Sequence, residues 1–133
     1  MGKILIGKKI KGVGVATERI NSLKPIFRKK IPDIDSFFVG TVNIVLTEKY
    51  PTPTAGIILF SKEEIPHDAK YPDESFTFIP VRRINNKIDI SCYIVRPEGT
   101  CWPECVVEII AKEDLSKYFP MHIGATIELE VDN

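Results

Sequence analysis

A threonine and an asparagine stand two positions apart in the otherwise apolar run Gly40-Thr41-Val42-Asn43-Ile44-Val45-Leu46. In a strand, successive side chains alternate between faces, so Val42, Ile44 and Leu46 share one side and Thr41 and Asn43 the other. A hydroxyl and an amide oxygen held together on rigid backbone are two neutral ligands for a hard cation such as magnesium. That ion takes few protein ligands and completes its shell with water and phosphate oxygens. The plainer alternative is a solvated strand face, although asparagine is disfavoured inside strands. A second group, Gly12-Val13-Gly14-Val15-Ala16-Thr17, is built of small residues that let backbone N–H groups approach an anion. It lacks the third glycine of a dinucleotide fingerprint and the Gly-Lys-Ser/Thr of a Walker loop. A third is Glu108, set within the apolar stretch Val106-Val107-Glu108-Ile109-Ile110-Ala111. Its carboxylate either points to solvent from an edge strand or faces a pocket, where it can orient or deprotonate a substrate hydroxyl.

Composition narrows what these groups can serve. The chain has 133 residues, 44% hydrophobic and 27% charged, which suits one folded domain over residues 1–133 and excludes a disordered or collagen-like chain. No apolar run approaches the roughly 20 residues of a membrane-spanning helix, and the basic start is too short in apolar residues for a secretory signal. The expected location is cytoplasmic, and the expected state a monomer. Net charge is zero, but residues 1–30 hold nine Lys or Arg against Glu18 alone, an asymmetry able to steer an anionic ligand toward that segment. A nucleic-acid-binding barrel is disfavoured, because only Phe27 places an aromatic ring within the basic stretch. The three cysteines, Cys92, Cys101 and Cys105, read as ordinary intracellular thiols, since no second paired motif completes a zinc site with Cys101 and Cys105.

Turn signals every 8–15 residues, with β-branched and aromatic residues between them, give the rhythm of a small barrel or sandwich. Strands are expected over residues 3–11, 38–49, 56–60, 75–83, 87–96, 105–111 and 126–131. Residues 75–83 and 87–96 should form a hairpin across Ile84-Asn85-Asn86, because asparagine tolerates positive φ. Ile20, Leu23, Phe27 and Ile31 recur at spacings of three and four and predict a helix over 22–30, capped by Asn21 or Ser22, with Pro25 in its first turn. A shorter helix is expected over 112–119. Residues 54–72 are ambiguous beyond the short strand. In the last strand Ile127, Leu129 and Val131 should face inward and Glu128 and Glu130 outward.

Taken in order, Gly-x-Gly-x-Ala after the first strand, Gly40-Thr41-Val42-Asn43, Arg96-Pro97-Glu98-Gly99-Thr100, and Val107-Glu108-Ile109-Ile110-Ala111 followed by Leu115 resemble the archaeal CTP-dependent riboflavin kinases. The resemblance covers nearly the whole chain. It implies a mainly β fold, a small closed six-stranded barrel of the cradle-loop type with one or two short helices. It also implies transfer of the γ-phosphate of CTP to the 5′-hydroxyl of riboflavin, giving FMN. By position, Thr41 and Asn43 would bind magnesium. Gly12, Val13, Gly14, Val15, Ala16 and Thr17 would cradle the nucleotide, with Glu113, Asp114, Leu115 and Ser116 on its other side. Thr100 and Glu108 would meet the flavin, and Glu108 is our candidate general base. Val15 stands where the family often carries an acid, and His122-Ile123-Gly124-Ala125 replaces its usual Asp-Gly-Asp turn, so the nucleotide donor stays open between CTP, ATP and GTP. The alternative reading is a barrel that binds flavin or nucleotide without catalysis.

Overall fold

The computed structural model describes residues 2–11, 15–37, 42–48, 56–66, 74–86, 91–98, 105–115 and 122–132. Among them are seven strands: β1 Gly2–Ile10, β2 Val42–Leu46, β3 Ile58–Phe60, β4 Ser75–Ile84, β5 Cys92–Glu98, β6 Val106–Ala111 and β7 Thr126–Asp132. They form one antiparallel sheet in the order β3-β4-β5-β6-β2-β1-β7, and β4 also pairs with β7. That extra pairing closes six strands into the expected barrel, leaving β3 on its flank. β4 has ten residues, enough for two partners along one edge. Phe76 to Phe78 take β3, and Val81 to Ile84 take β7. Between them, Val81 faces Val131 and Arg83 faces Glu130, so two residues of β4 oppose one of β7. Such a bulge sharpens the strand's twist, which is what closing a small barrel requires.

Alternation fills the interior. Leu5, Ile44, Leu46, Cys92, Ile94, Val107, Ile109, Ile127, Leu129 and Val131 form one buried cluster, and the expected inward set of the last strand is among them. Gly7 faces Leu46 on one side and Ile127 on the other. A Cβ there would stand 2.7 Å from the Val45 carbonyl oxygen and collide with the Ile44 side chain. We expect Gly7→Ala to destabilise the fold by about 1–3 kcal/mol, the usual effect of overpacking. Urea unfolding checks this, and an unchanged midpoint would refute the close approach.

A second buried layer covers the outer face of β4, β5 and β6. Phe76, Phe78, Val95 and Ile110 meet Ile20, Leu23, Phe27, Ile31, Ile34, Phe37 and Phe60. The Phe27 ring lies 4.9–5.1 Å from those of Phe60, Phe76 and Phe78, in tilted and edge-on contacts. The helical face expected from Ile20, Leu23, Phe27 and Ile31 is therefore the buried one, but the helix differs from the expected 22–30. Helix α1 runs Val15–Ser22 and helix α2 Lys24–Phe27, with Leu23 between them as an N-cap that has no side-chain cap. Pro25 explains the break: it has no N–H to give the Asn21 carbonyl, and its ring crowds that preceding turn. Asn21 and Ser22 thus end a helix instead of capping one, and the Ser22 hydroxyl donates back to the Arg19 carbonyl at 2.9 Å.

β4 and β5 pair antiparallel and Asn85 and Asn86 both take positive φ (50° and 59°), but the expected turn across Ile84-Asn85-Asn86 does not join them directly: Val81 faces Cys92, β5 begins at Cys92, and Ile84 pairs with β7 instead. Residues 87–90 of the expected strand lie outside the described residues. Residues 112–114 are bends and irregular chain, with 3-10 geometry beginning only at Leu115, so no α-helix starts at 112. Residues 116–119 of that expected helix lie outside the described residues, as do 38–41 and 49 of the expected 38–49 strand. Of the ambiguous stretch, 56–66 is described. No helix among the described residues is long and apolar enough to cross a membrane. Cys92 lies in the barrel interior, where burial pushes its thiol up to about 12, and Cys101 is outside the described residues.

Candidate functional site

Directly opposed residues in an antiparallel pair point to the same face of the sheet. One such row crosses the outer wall of the barrel: Phe78 on β4 faces Val95 on β5, Val95 faces Glu108 on β6, Glu108 faces Asn43 on β2, and Asn43 faces Ile10 on β1. The apolar end of the row lies beneath the helical layer. Its polar centre is the Asn43–Glu108 pair, 4% and 1% exposed. These values overturn both plainer readings: Asn43 is not on a solvated face, and Glu108 is on a central strand instead of an edge.

The pair is electrostatically costly. Among the described residues, Asn43 Oδ1 and Glu108 Oε2 are buried without a hydrogen-bond partner. A buried orphan oxygen loses its hydration for nothing in return, a penalty of about 1–3 kcal/mol. Burial also pushes the Glu108 carboxyl up from 4.5 to about 7, because a low-dielectric surrounding disfavours the charged form. Two adjacent oxygens in need of a positive partner suit a hard cation or a hydroxyl donor. The amide oxygen of Asn43 is thus chemically fit for magnesium. Thr41, its expected companion ligand, lies outside the described residues, one position before β2 begins.

The topology arranges the remaining segments about this pair. β1 and β6 are both antiparallel to β2, so they run in the same direction and end at one rim of the barrel. β1 ends there at Ile10, β6 ends there at Ala111, and β2 begins there at Val42. The strand ends nearest in sequence to the segments expected to hold nucleotide and metal therefore share one rim. β5 ends at Glu98 and β6 begins at Val106 at the opposite rim. At 3.3 Å per residue, Glu108 is about 7 Å along β6 from its start at Val106 and about 10 Å from its end at Ala111. The pair thus stands between the rim expected to hold the nucleotide and the rim expected to hold the flavin.

Gly12, Val13, Gly14, Thr100 and Ser116 lie outside the described residues. Val15, Ala16 and Thr17 form the first turn of α1 rather than part of a loop. The first N–H groups of a helix have no intrahelical acceptor and carry the positive end of its dipole, so this turn is chemically suited to an anion. Glu113 is exposed, Asp114 half-buried, and Leu115 sits within the barrel core at 5% exposure. The side chain of Leu115 anchors this segment to the barrel core.

Among the described residues, three of the nine cations in residues 1–30 have carboxylate partners. Arg19 meets Glu74, Arg28 meets Asp35, and Lys30 meets Glu64. The N-terminal excess is thus partly neutralised within the fold and steers an anion less than the raw count implies. Sequence reading missed Arg19 and Glu74 altogether, because they are 55 residues apart and neither belongs to a motif. It also gave no role of its own to Arg96, which is 5% exposed and donates from Nη1 to the Val106 carbonyl two residues before Glu108.

A closed barrel carries a helical layer on one wall and a buried amide–carboxyl pair on that wall, the candidate site of this fold. The profile of the CTP-dependent riboflavin kinase family, described as a domain of unknown function (DUF120), matches residues 10–131, and the chain belongs to that family. No match was found among curated proteins.

Proposed function

We propose that this chain is a riboflavin kinase, with CTP as the phosphate donor. The observation that carries the reading is the Asn43–Glu108 pair, two adjacent buried side chains each with an unpartnered oxygen, on the wall between two rims. Family membership supports the substrate, and the family's name supports CTP.

In the reaction the 5′-oxygen of the ribityl chain bonds to the γ-phosphorus. The bond from that phosphorus to the β,γ-bridging oxygen breaks, and a nucleoside diphosphate leaves. Such transfer depends on positioning and charge stabilisation more than on covalent chemistry. Glu108 accepts the proton of the attacking hydroxyl, and a carboxyl at about 7 is well matched to that task near neutral pH. Thr100 assists in holding the flavin. The first turn of α1, with Gly12, Val13 and Gly14 before it, receives phosphate oxygens on backbone N–H groups. Glu113, Asp114, Leu115 and Ser116 bound the nucleotide from across the rim. Asn43, with Thr41, would hold magnesium, which when bound neutralises charge on the phosphate oxygens.

Incubation with riboflavin, magnesium and CTP, ATP or GTP in parallel should yield FMN on a chromatogram, most rapidly with CTP. Absence of FMN with every nucleotide, alongside retained quenching of flavin fluorescence, would replace the kinase by a flavin-binding barrel.

A further inference from the structure

Helix α1 has eight residues, too few to be stable by itself, so its position depends on what it packs against. Its last turn and the residue that follows contribute Ile20 and Leu23 to the outer apolar layer. Apolar contact is non-directional: it holds a helix down without fixing its rotation or its slide along its axis. The directional contact comes from Arg19, whose Nε donates to Glu74 Oε1 at 2.7 Å while Nη2 lies 2.7 Å from the same oxygen. The two side chains are only 13% and 8% exposed, so solvent and salt screen this ion pair little. Glu74 immediately precedes β4, the strand that pairs with β3, β5 and β7 and is therefore the most firmly held reference in the sheet. Arg19 lies two residues beyond Thr17, a little over half a turn of helix from the proposed phosphate cradle.

We propose that Arg19 and Glu74 are positioning residues for the nucleotide: the pair locks α1 onto β4 and so sets the phosphate-facing first turn of the helix in register with the Asn43–Glu108 wall. This inference rests on the kinase reading for its ligand, but concerns binding rather than the chemical step. The pair touches neither riboflavin nor the reacting atoms and acts through the helix. Its loss should weaken nucleotide binding selectively, because a small displacement of a binding element is enough to cost affinity.

Breaking a buried pair from one side leaves an uncompensated charge and can unfold a protein, whereas replacing both partners by apolar residues of similar volume is often tolerated. The test is therefore Arg19→Met with Glu74→Leu in one chain, alongside Arg19→Lys, which keeps the charge and loses the planar fork. Binding of CTP with magnesium, and of ATP in parallel, is measured by calorimetry, riboflavin binding by fluorescence quenching, and melting by circular dichroism. We expect the double variant to melt within a few degrees of the parent, to bind riboflavin as the parent does, and to bind CTP about 10-fold more weakly. Arg19→Lys should fall between. Unchanged CTP affinity in the double variant would reduce the pair to a structural tie, and equal losses of nucleotide and flavin binding would do the same. A parent that binds nucleotide without making FMN would remove the kinase reading and leave the affinity comparison standing. A parent that binds no nucleotide would remove both.

Discussion

Glu108→Gln should lower FMN formation by about 10²–10⁴-fold, the usual contribution of a positioned general base. Glutamine keeps the shape of the protonated carboxyl, so riboflavin affinity should change little while kcat collapses. In the parent, kcat should rise with pH and level off above about 7, as Glu108 loses its proton. The glutamine variant should lack that limb. Stability should move the other way. The carboxyl titrates at 4.5 when free and at about 7 in the fold. Below pH 4.5 it is protonated in both states, and the fold keeps its full contribution. As pH rises from 4.5 to 7 the unfolded chain gives up the proton first, so stability is lost across that window and then levels off. Glutamine has no proton to lose. The variant should therefore gain on the parent from pH 4.5 to 7, by on the order of 3 kcal/mol at the plateau. Urea unfolding at pH 4.5, 6 and 8 reads this directly. A variant that keeps parental turnover would take Glu108 out of the chemistry, and parallel stability curves would show a carboxyl that titrates normally.

The part of this architecture legible in the residues is the part coded locally. β7 alternates Ile127-Glu128-Leu129-Glu130-Val131, and its inward and outward faces follow directly. The Asn85-Asn86 turn could be read because few side chains accept positive φ. Ile20, Leu23, Phe27 and Ile31 disclosed the buried face of the helical segment, although Pro25 split the helix and its true start at Val15 went unseen. Alternation also put Asn43 and Val42 on opposite faces, but it could not say whether the face holding Asn43 was wet. That depends on the helical layer and on Glu108 arriving opposite, a non-local pairing across 65 positions. The bulge at Val81 and Arg83, the closure of β4 on β7 and the Arg19–Glu74 tie were hidden for the same reason. Each is a relation between distant segments, with no trace in the spacing of either one.

What joins these findings is a conflict between folding and function at one spot on the wall. An amide and a carboxyl set side by side in a buried row otherwise made of Phe78, Val95 and Ile10 weaken the barrel. Apolar residues would pack there without orphaned oxygens. Natural proteins depart from local consistency in this way at functional sites and compensate elsewhere. Here the compensation is the close-packed interior and the cluster of rings around Phe27.

Asn43→Leu separates the two demands. Leucine is close in size to asparagine, suits the apolar row and removes the unpartnered Oδ1. The variant should be at least as stable as the parent and up to about 2 kcal/mol more so, since the penalty of one orphan oxygen disappears. Its FMN formation at limiting magnesium should fall at least about 100-fold, because the proposed ion loses one of its few protein ligands and the phosphate charge is left less neutralised. Riboflavin affinity should be unaffected, as for Glu108→Gln, and it is the dependence on magnesium that sets this residue apart from Glu108. A readout independent of turnover is the rise in melting temperature on adding magnesium with CTP. The parent should show it, in proportion to ligand concentration over Kd, and Asn43→Leu should show much less. If the leucine variant is clearly less stable and responds to magnesium as the parent does, Asn43 is a structural member of the wall and the metal must be held elsewhere.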